Sequence, residues 1–263
     1  HKPTVWCYDD STGCDYPTKL PYFGYQNYGG TAQYLSKYLP KDIVLCNQGE
    51  GGLNATDSYH LNAARSSWAA GDYVYMQYGH NHKTGGVMEY LNCLPGYYNK
   101  ANAVGAKMIF AGPIDRHNST QYNASDNKWS STLGGYSKAA EYYTKLLICG
   151  GTAMANEFIA KAKADATGTS VPDSAYTWAD TQIAEGITDA GVSDVAFVDL
   201  NAPTLTWLEG VCDYVKTKRN ATGYSAAMTN YYFQGYKGGS VDGTHPNDLG
   251  ADNTAAFFFN DIT

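Results

Sequence analysis

Short apolar runs, rich in β-branched and aromatic residues, recur along the chain between longer stretches of helical period. Pro3 to Tyr8 (PTVWCY), Asp42 to Cys46 (DIVLC), Asp72 to Tyr78 (DYVYMQY), Lys107 to Ala111 (KMIFA) and Val195 to Leu200 (VAFVDL) each read as a strand. Helical spacing is expected near Thr31–Leu39, Ala55–Ala69, Gly86–Val104, Tyr136–Ala166, Asp180–Ala190 and Asn247–Asn260. Strands that alternate with helices predict a parallel sheet covered on both faces, with right-handed crossovers. The expected fold class is therefore α/β.

One stretch breaks this rhythm. Residues 118–176 carry a long Ala-rich helical pattern, a Gly150-Gly151 break and a polar segment around Thr167–Ser174. It is expected to be an insertion or lid on a single domain spanning 1–263, because 263 residues fill one large core and only marginally two.

Composition narrows the partners. Net charge is −7, and the only basic cluster is Lys216 to Arg219, which disfavours nucleic acid and anionic membrane surfaces. No run reaches the roughly 18 apolar residues of a membrane span. Only 16% of residues are charged, so Asn, Ser, Thr, Gly and 24 tyrosines must supply much of the surface. Tyrosine rings suit sugar faces, although most individual tyrosines fill core rims. Six cysteines without a C-x-x-C pair fit disulfides better than a zinc ribbon or redox pair. Four sequons, at Asn54, Asn118, Asn123 and Asn220, join the cysteines in favouring a secreted, extracellular glycoprotein. The start at His1 is read as a mature form after cleavage, and a monomer is the expectation for a secreted hydrolase of this size.

In open α/β sheets, ligands bind at the carboxyl ends of the strands. Asp9-Asp10-Ser11 follows the first strand, Gly51-Gly52 the second and His80-Asn81 the third, and Asp242-Gly243-Thr244-His245 lies near the C-terminus. Each has a plainer reading. A serine in a turn is usually a helix cap, a glycine pair a turn, an asparagine a local hydrogen-bonder, and an Asp three before a His a coincidence. It is their joint order that carries information.

That order resembles the SGNH (GDSL-type) hydrolase family, whose four blocks match as Ser11, Gly52, Asn81 and His245. The subgroup it looks like is the rhamnogalacturonan acetylesterases of carbohydrate esterase family 12. The match runs through Thr4-Val5 to Asp10-Ser11-Thr12, and Ala70-Gly71-Asp72-Tyr73-Val74 leading to Tyr78-Gly79-His80-Asn81. It continues through Val198-Asp199-Leu200, and Asp242-x-Thr244-His245 followed by Gly250-Ala251. The resemblance implies a flavodoxin-like three-layer α/β/α sandwich on a five-stranded parallel sheet. It also implies a cofactor-free serine ester hydrolase acting on an acetylated plant polysaccharide. Ser11 would be the nucleophile, His245 its base and Asp242 the partner of the imidazole, with an oxyanion hole from the Ser11 and Gly52 N–H groups and the Asn81 amide.

The chain departs from the pattern where the usual Gly-Asp-Ser is Asp9-Asp10-Ser11. Asp is expected to tolerate the turn's unusual backbone angles, and its extra carboxylate to favour a charged His245. His80 is expected to pack beside Asn81. A metal site using His60, His80 and His82 is disfavoured, because no H-E-x-x-H or Cys ligand set accompanies them. His1 is expected to be an exposed residue rather than half of a copper-binding brace. A glycan on Asn54 would sit beside Gly52, so either it points away or the sequon is unused. Competing functions are an acetylxylan or general short-chain esterase, a lipase-like esterase with an apolar acyl groove, and a catalytically weak carbohydrate-binding relative.

Overall fold

The structure is a computed structural model that describes residues 1–16, 25–26, 28–56, 65–82, 84–116, 120–123, 128–207, 236–237, 240–241 and 244–262. From the N-terminus, β1 (Thr4–Asp9) is followed by the short β2 (Tyr25–Gln26), α1 (Thr31–Leu35), β3 (Val44–Asn47) and β4 (Tyr73–Gln77). Next come α2 (Gly86–Asn102), β5 (Lys107–Ala111), the hairpin strands β6 (Thr120–Asn123) and β7 (Lys128–Ser131), and α3 (Gly134–Ala164). Then α4 (Asp173–Glu185), β8 (Val195–Val198), β9 (Tyr236–Lys237), β10 (Ser240–Val241) and α5 (Asp248–Ile262) complete the order.

Five strands pair in parallel in the order β3-β1-β4-β5-β8. Side chains alternate across this sheet. Tyr8, Val74, Met76, Met108 and Phe110 face one side, where Leu91 and Leu94 of α2, Phe158 of α3 and Ala175 of α4 bury them. Val5, Cys7, Tyr75, Ile109 and Ala111 face the other, against Ala32 and Leu35 of α1 and Ala255 and Phe258 of α5. The architecture is thus the parallel sheet covered on both faces that the run pattern predicts, in the three-layer α/β/α arrangement that the resemblance implies. Its strand order reverses direction between β1 and β4, so the cleft of an open sheet opens at their carboxyl ends.

Four expectations are corrected. The stretch 118–176 is not simply a lid, since α3 packs its apolar face into the core layer and only the β6–β7 hairpin forms a sheet of its own. The Gly150-Gly151 break is a kink within α3, where Gly151 has φ +68° and a Cβ would fall 2.3 Å from the Ala190 carbonyl oxygen. The helix expected at 180–190 lies at Asp173–Glu185, starting after Pro172 and ending at Gly186 with φ +94°. Cys7, Cys14, Cys46, Cys93 and Cys149 are free thiols, and Cys212 lies outside the described residues. Cys7 and Cys46 sit on neighbouring strands, yet Cys46 is registered with Trp6, so alternation sends the two thiols to opposite faces. His1 is exposed, as expected, and its imidazole Nε2 lies 2.8 Å from Oδ1 of the buried Asp72. Among the described residues, no helix is long and apolar enough to cross a membrane.

Candidate active site

The turn after β1 is built by Asp10. Its carbonyl accepts from the Gly13 and Cys14 N–H groups, and its Oδ1 accepts from the Thr12 N–H and hydroxyl, each at 2.9 Å. This is the bonding of a helix cap, and Asp10 performs it rather than Ser11. Ser11 keeps its hydroxyl for another partner, with Oγ 2.8 Å from His245 Nε2 across 234 positions of sequence. The competing reading of Ser11 as a cap therefore fails.

Asp10 is also half of a buried ion pair. Its Oδ2 lies 2.9 Å from His80 Nδ1, and His80 Nε2 lies 2.9 Å from the Ile114 carbonyl oxygen. Both ring nitrogens thus face acceptors, an arrangement that an imidazolium facing a carboxylate satisfies with two N–H donors. Burial pushes the Asp10 carboxyl up, but the His80 charge and hydrogen bond outweigh it and hold the group below its ordinary value. His80 does more than pack beside Asn81: it ties the ends of β1, β4 and β5 together.

Asp9 behaves differently from expectation. It is the last residue of β1, paired with Gln77 in regular extended backbone, so no unusual angle is asked of it. What it requires is room. A Cβ on residue 13 would fall 1.8 Å from Asp9 Oδ2, and Gly13 leaves that volume to the carboxyl. Oδ1 accepts from the Asp10 N–H at 2.7 Å, whereas the buried Oδ2 has no partner among the described residues. Burial, reinforced by the neighbouring Asp10 charge, raises the Asp9 carboxyl well above its ordinary value. Burial therefore favours the neutral form of this carboxyl. The folded chain keeps a proton that the unfolded chain releases above about pH 3.9, so stability is lost as pH rises from there toward the raised value. Asp9→Asn is expected to melt above the wild type at about pH 8, with the two converging near pH 4. A gap that does not change with pH would show that Asp9 is ionised in the fold.

The remaining predicted residues collect around Ser11. Gly51 lies against it, with a Cβ position 3.9 Å from Ser11 Cβ, and the adjacent exposed Gly52 has φ +87°, a conformation that favours glycine. Among the described residues, neither the Ser11 nor the Gly52 N–H has an acceptor. Asn81 Nδ2 donates to the Leu53 carbonyl at 2.8 Å, which holds its amide against the Gly52 turn with a second N–H to spare. His82 braces the same turn. Its Nε2 accepts from the Ala55 N–H at 3.1 Å, which fixes the proton on Nδ1, 3.0 Å from Glu89 Oε2. Burial lowers the His82 pKa against the opposing pull of Glu89, so the ring is neutral. Asn54, half-buried in this turn, accepts from the Thr56 N–H and hydroxyl. Asn123 lies on β6. Asp242, His60, Asn118, Asn220 and the Lys216–Arg219 cluster lie outside the described residues.

Two residues that the sequence did not single out complete the neighbourhood. Tyr28 stacks on the His245 ring at 5.2 Å and 25°. The Tyr16 hydroxyl donates to the Ser11 carbonyl at 2.5 Å. Among 24 tyrosines, nothing local marks these two.

No family model matches the chain, and no curated protein matches it in sequence. Among solved structures, it is similar to a Bacillus subtilis protein, with 17% identity and a TM-score of 0.55, over 100% of this chain. The chain spans 56% of that protein's length. It is also similar to the acetylxylan esterase Axe2 from Geobacillus stearothermophilus, at 14% identity and TM-score 0.49, covering 99% of this chain and 94% of that one. A Parabacteroides merdae protein assigned as a GDSL-like lipase matches at 13% identity and TM-score 0.49, over 98% and 94% of the two chains. At 17% identity the likeness to the Bacillus subtilis protein shows a shared α/β fold and leaves the chemistry to the site.

Proposed function

We propose that this chain is a serine ester hydrolase that removes acetyl groups from a plant cell-wall polysaccharide, acetylated rhamnogalacturonan before acetylxylan. The observation that carries the hydrolase reading is the 2.8 Å contact between Ser11 Oγ and His245 Nε2 at the carboxyl end of β1. The carbohydrate part rests on the sequence resemblance and on the tyrosine-rich composition.

In this reading, His245 takes the Ser11 proton as Oγ attacks the acetyl carbonyl. The tetrahedral oxyanion is met by the Ser11 and Gly52 N–H groups and by the spare N–H of Asn81. As the intermediate collapses, His245 returns the proton to the departing sugar hydroxyl and leaves an acetyl ester on Ser11. Water, deprotonated by the same imidazole, then releases acetate. Asp242, three residues before His245, is the proposed partner of Nδ1. One such oxyanion donor is typically worth about 100- to 1,000-fold in rate.

The test is acetate release from acetylated rhamnogalacturonan, acetylated xylan and p-nitrophenyl acetate by wild type and by Ser11→Ala. The expected result is turnover by wild type alone, greatest on the pectin backbone. Equal release by both proteins sinks the serine mechanism. Preference for xylan or for long acyl chains moves the substrate to acetylxylan or lipid esters.

A further inference from the structure

We infer that Tyr28 is a positioning residue that holds the His245 imidazole against Ser11, an assignment that rests on the esterase reading above. Ser11 and His245 arrive from opposite ends of the chain, and their alignment must be enforced by whatever lies between the two segments. That segment is Tyr28–Gly30. Tyr28 forms an antiparallel backbone bridge with Asn247, and the Gly29 N–H donates to the Pro246 carbonyl at 3.1 Å. A Cβ on Gly29 would sit 3.0 Å from Ala251 Cβ and from Asp248 Cα, so this backbone is pressed onto the start of α5. On its other side, a Cβ on Gly30 would fall 2.0 Å from the Cys14 carbonyl oxygen, and the Thr31 N–H donates to the Thr12 carbonyl at 2.9 Å. Residues 28–31 are therefore wedged between the turn that carries Ser11 and the segment that carries His245.

The rings continue the same connection. Tyr28 is 2% exposed and lies nearly parallel to the imidazole. Tyr16 meets Tyr28 edge-on at 5.4 Å and 82°, and meets His245 edge-on at 6.4 Å and 75°. Because the Tyr16 hydroxyl also holds the Ser11 carbonyl, the three rings link the nucleophile's backbone to the base's ring. A stacked ring restricts rotation of the imidazole about its Cβ bond. Its electron-rich face also suits the imidazolium formed during proton transfer. The contact that Tyr28 offers the site is its ring against the His245 imidazole, so it acts through the base.

Tyr28→Phe and Tyr28→Leu separate ring from hydroxyl, with p-nitrophenyl acetate as the probe. The Phe variant keeps the stacking and is expected to retain kcat within about threefold. The Leu variant is expected to lose about 100-fold in kcat with KM nearly unchanged, the signature of a misplaced base rather than of a lost binding contact. Wild-type kcat in Tyr28→Leu overturns the inference. An NMR measurement stands apart from activity: the carbon-bound imidazole proton of His245, assigned by its loss in a His245 variant, is expected to be shifted upfield by the stacked ring. The shift is expected to persist in Tyr28→Phe, and its absence in wild type overturns the placement even where the Leu variant fails to fold. A wild type that is inert toward p-nitrophenyl acetate overturns the esterase reading, while the NMR result still decides the position of Tyr28.

Discussion

His245→Ala is expected to lower kcat on p-nitrophenyl acetate by about 10⁴- to 10⁶-fold, with a much smaller change in KM. The size of the effect follows from where the Ser11 proton can go. A serine hydroxyl is a weak nucleophile until a base removes its proton as it attacks. The neighbouring Tyr16 hydroxyl is directed at the Ser11 carbonyl and is itself a donor, and burial raises its pKa further, so it cannot serve. Asp10 is committed to His80 and Thr12, and Asp9 is buried with its Oδ1 accepting from the Asp10 N–H and the Gln77 amide. His245 Nε2, at 2.8 Å, is the base that the described residues offer. What survives its removal is the contribution of oxyanion donors and substrate binding, about 10³- to 10⁴-fold over water in a comparable serine enzyme. In the proposed mechanism Ser11 and His245 act as one unit, so Ser11→Ala/His245→Ala is expected to be no slower than the worse single variant. Steady-state kinetics on the three variants, with circular dichroism to confirm folding, decides the matter. A His245→Ala enzyme that keeps more than about a tenth of wild-type kcat would remove the imidazole from the reaction.

The sequence reveals the parts of this arrangement that repeat or that sit at element ends. Five apolar runs locate five strands, because a central parallel strand must be apolar on both faces. The ends of those runs then locate Ser11, Gly52 and Asn81. The sequence is silent where a role is defined by packing between distant segments. Tyr28 is one tyrosine among many until Asn247 pairs with it, and Gly13 is an ordinary turn glycine until the Asp9 carboxyl fills the space beside it. Asp9 itself is misread as a charged residue in a strained turn, because neither its burial nor its strand backbone is visible locally. The helix around 134–164 is misread as a lid because its many small alanines lower the apolar contrast, although those alanines are what allow it to lie close to the sheet. The cysteine count suggests bridges, but strand alternation separates Cys7 from Cys46.

Asp10→Ala is expected to cost about 3–5 kcal/mol of folding stability, a large part of the roughly 5–15 kcal/mol that holds a domain together. The Asp10 and His80 side chains are 0% and 1% exposed, so removing the carboxylate leaves the buried His80 Nδ1 without its hydrogen-bond partner. The same change takes the cap from the Thr12 N–H and the acceptor from the Thr12 hydroxyl. It is therefore expected to disturb the turn that presents Ser11 as well as the fold. Because the Asp10 carboxyl is held below its ordinary value, its contribution is present above about pH 3.9 and is lost as pH falls toward the lowered folded value. The cost of Asp10→Ala should accordingly be largest near neutral pH and shrink in acid. Replacing both partners, as in Asp10→Ala/His80→Leu, removes the unpaired buried polar group, and stability is expected to recover most of the single-variant loss. Activity should not recover with it, since the turn that carries Ser11 still lacks the Asp10 cap on Thr12 and the ends of β1, β4 and β5 are no longer tied through His80. Urea unfolding of the two single variants and the double, at neutral pH and stepwise below about pH 3.9, reads these terms directly. A cost for Asp10→Ala below about 1 kcal/mol at neutral pH, in the range of an exposed pair, would show that the two side chains are not a buried ion pair.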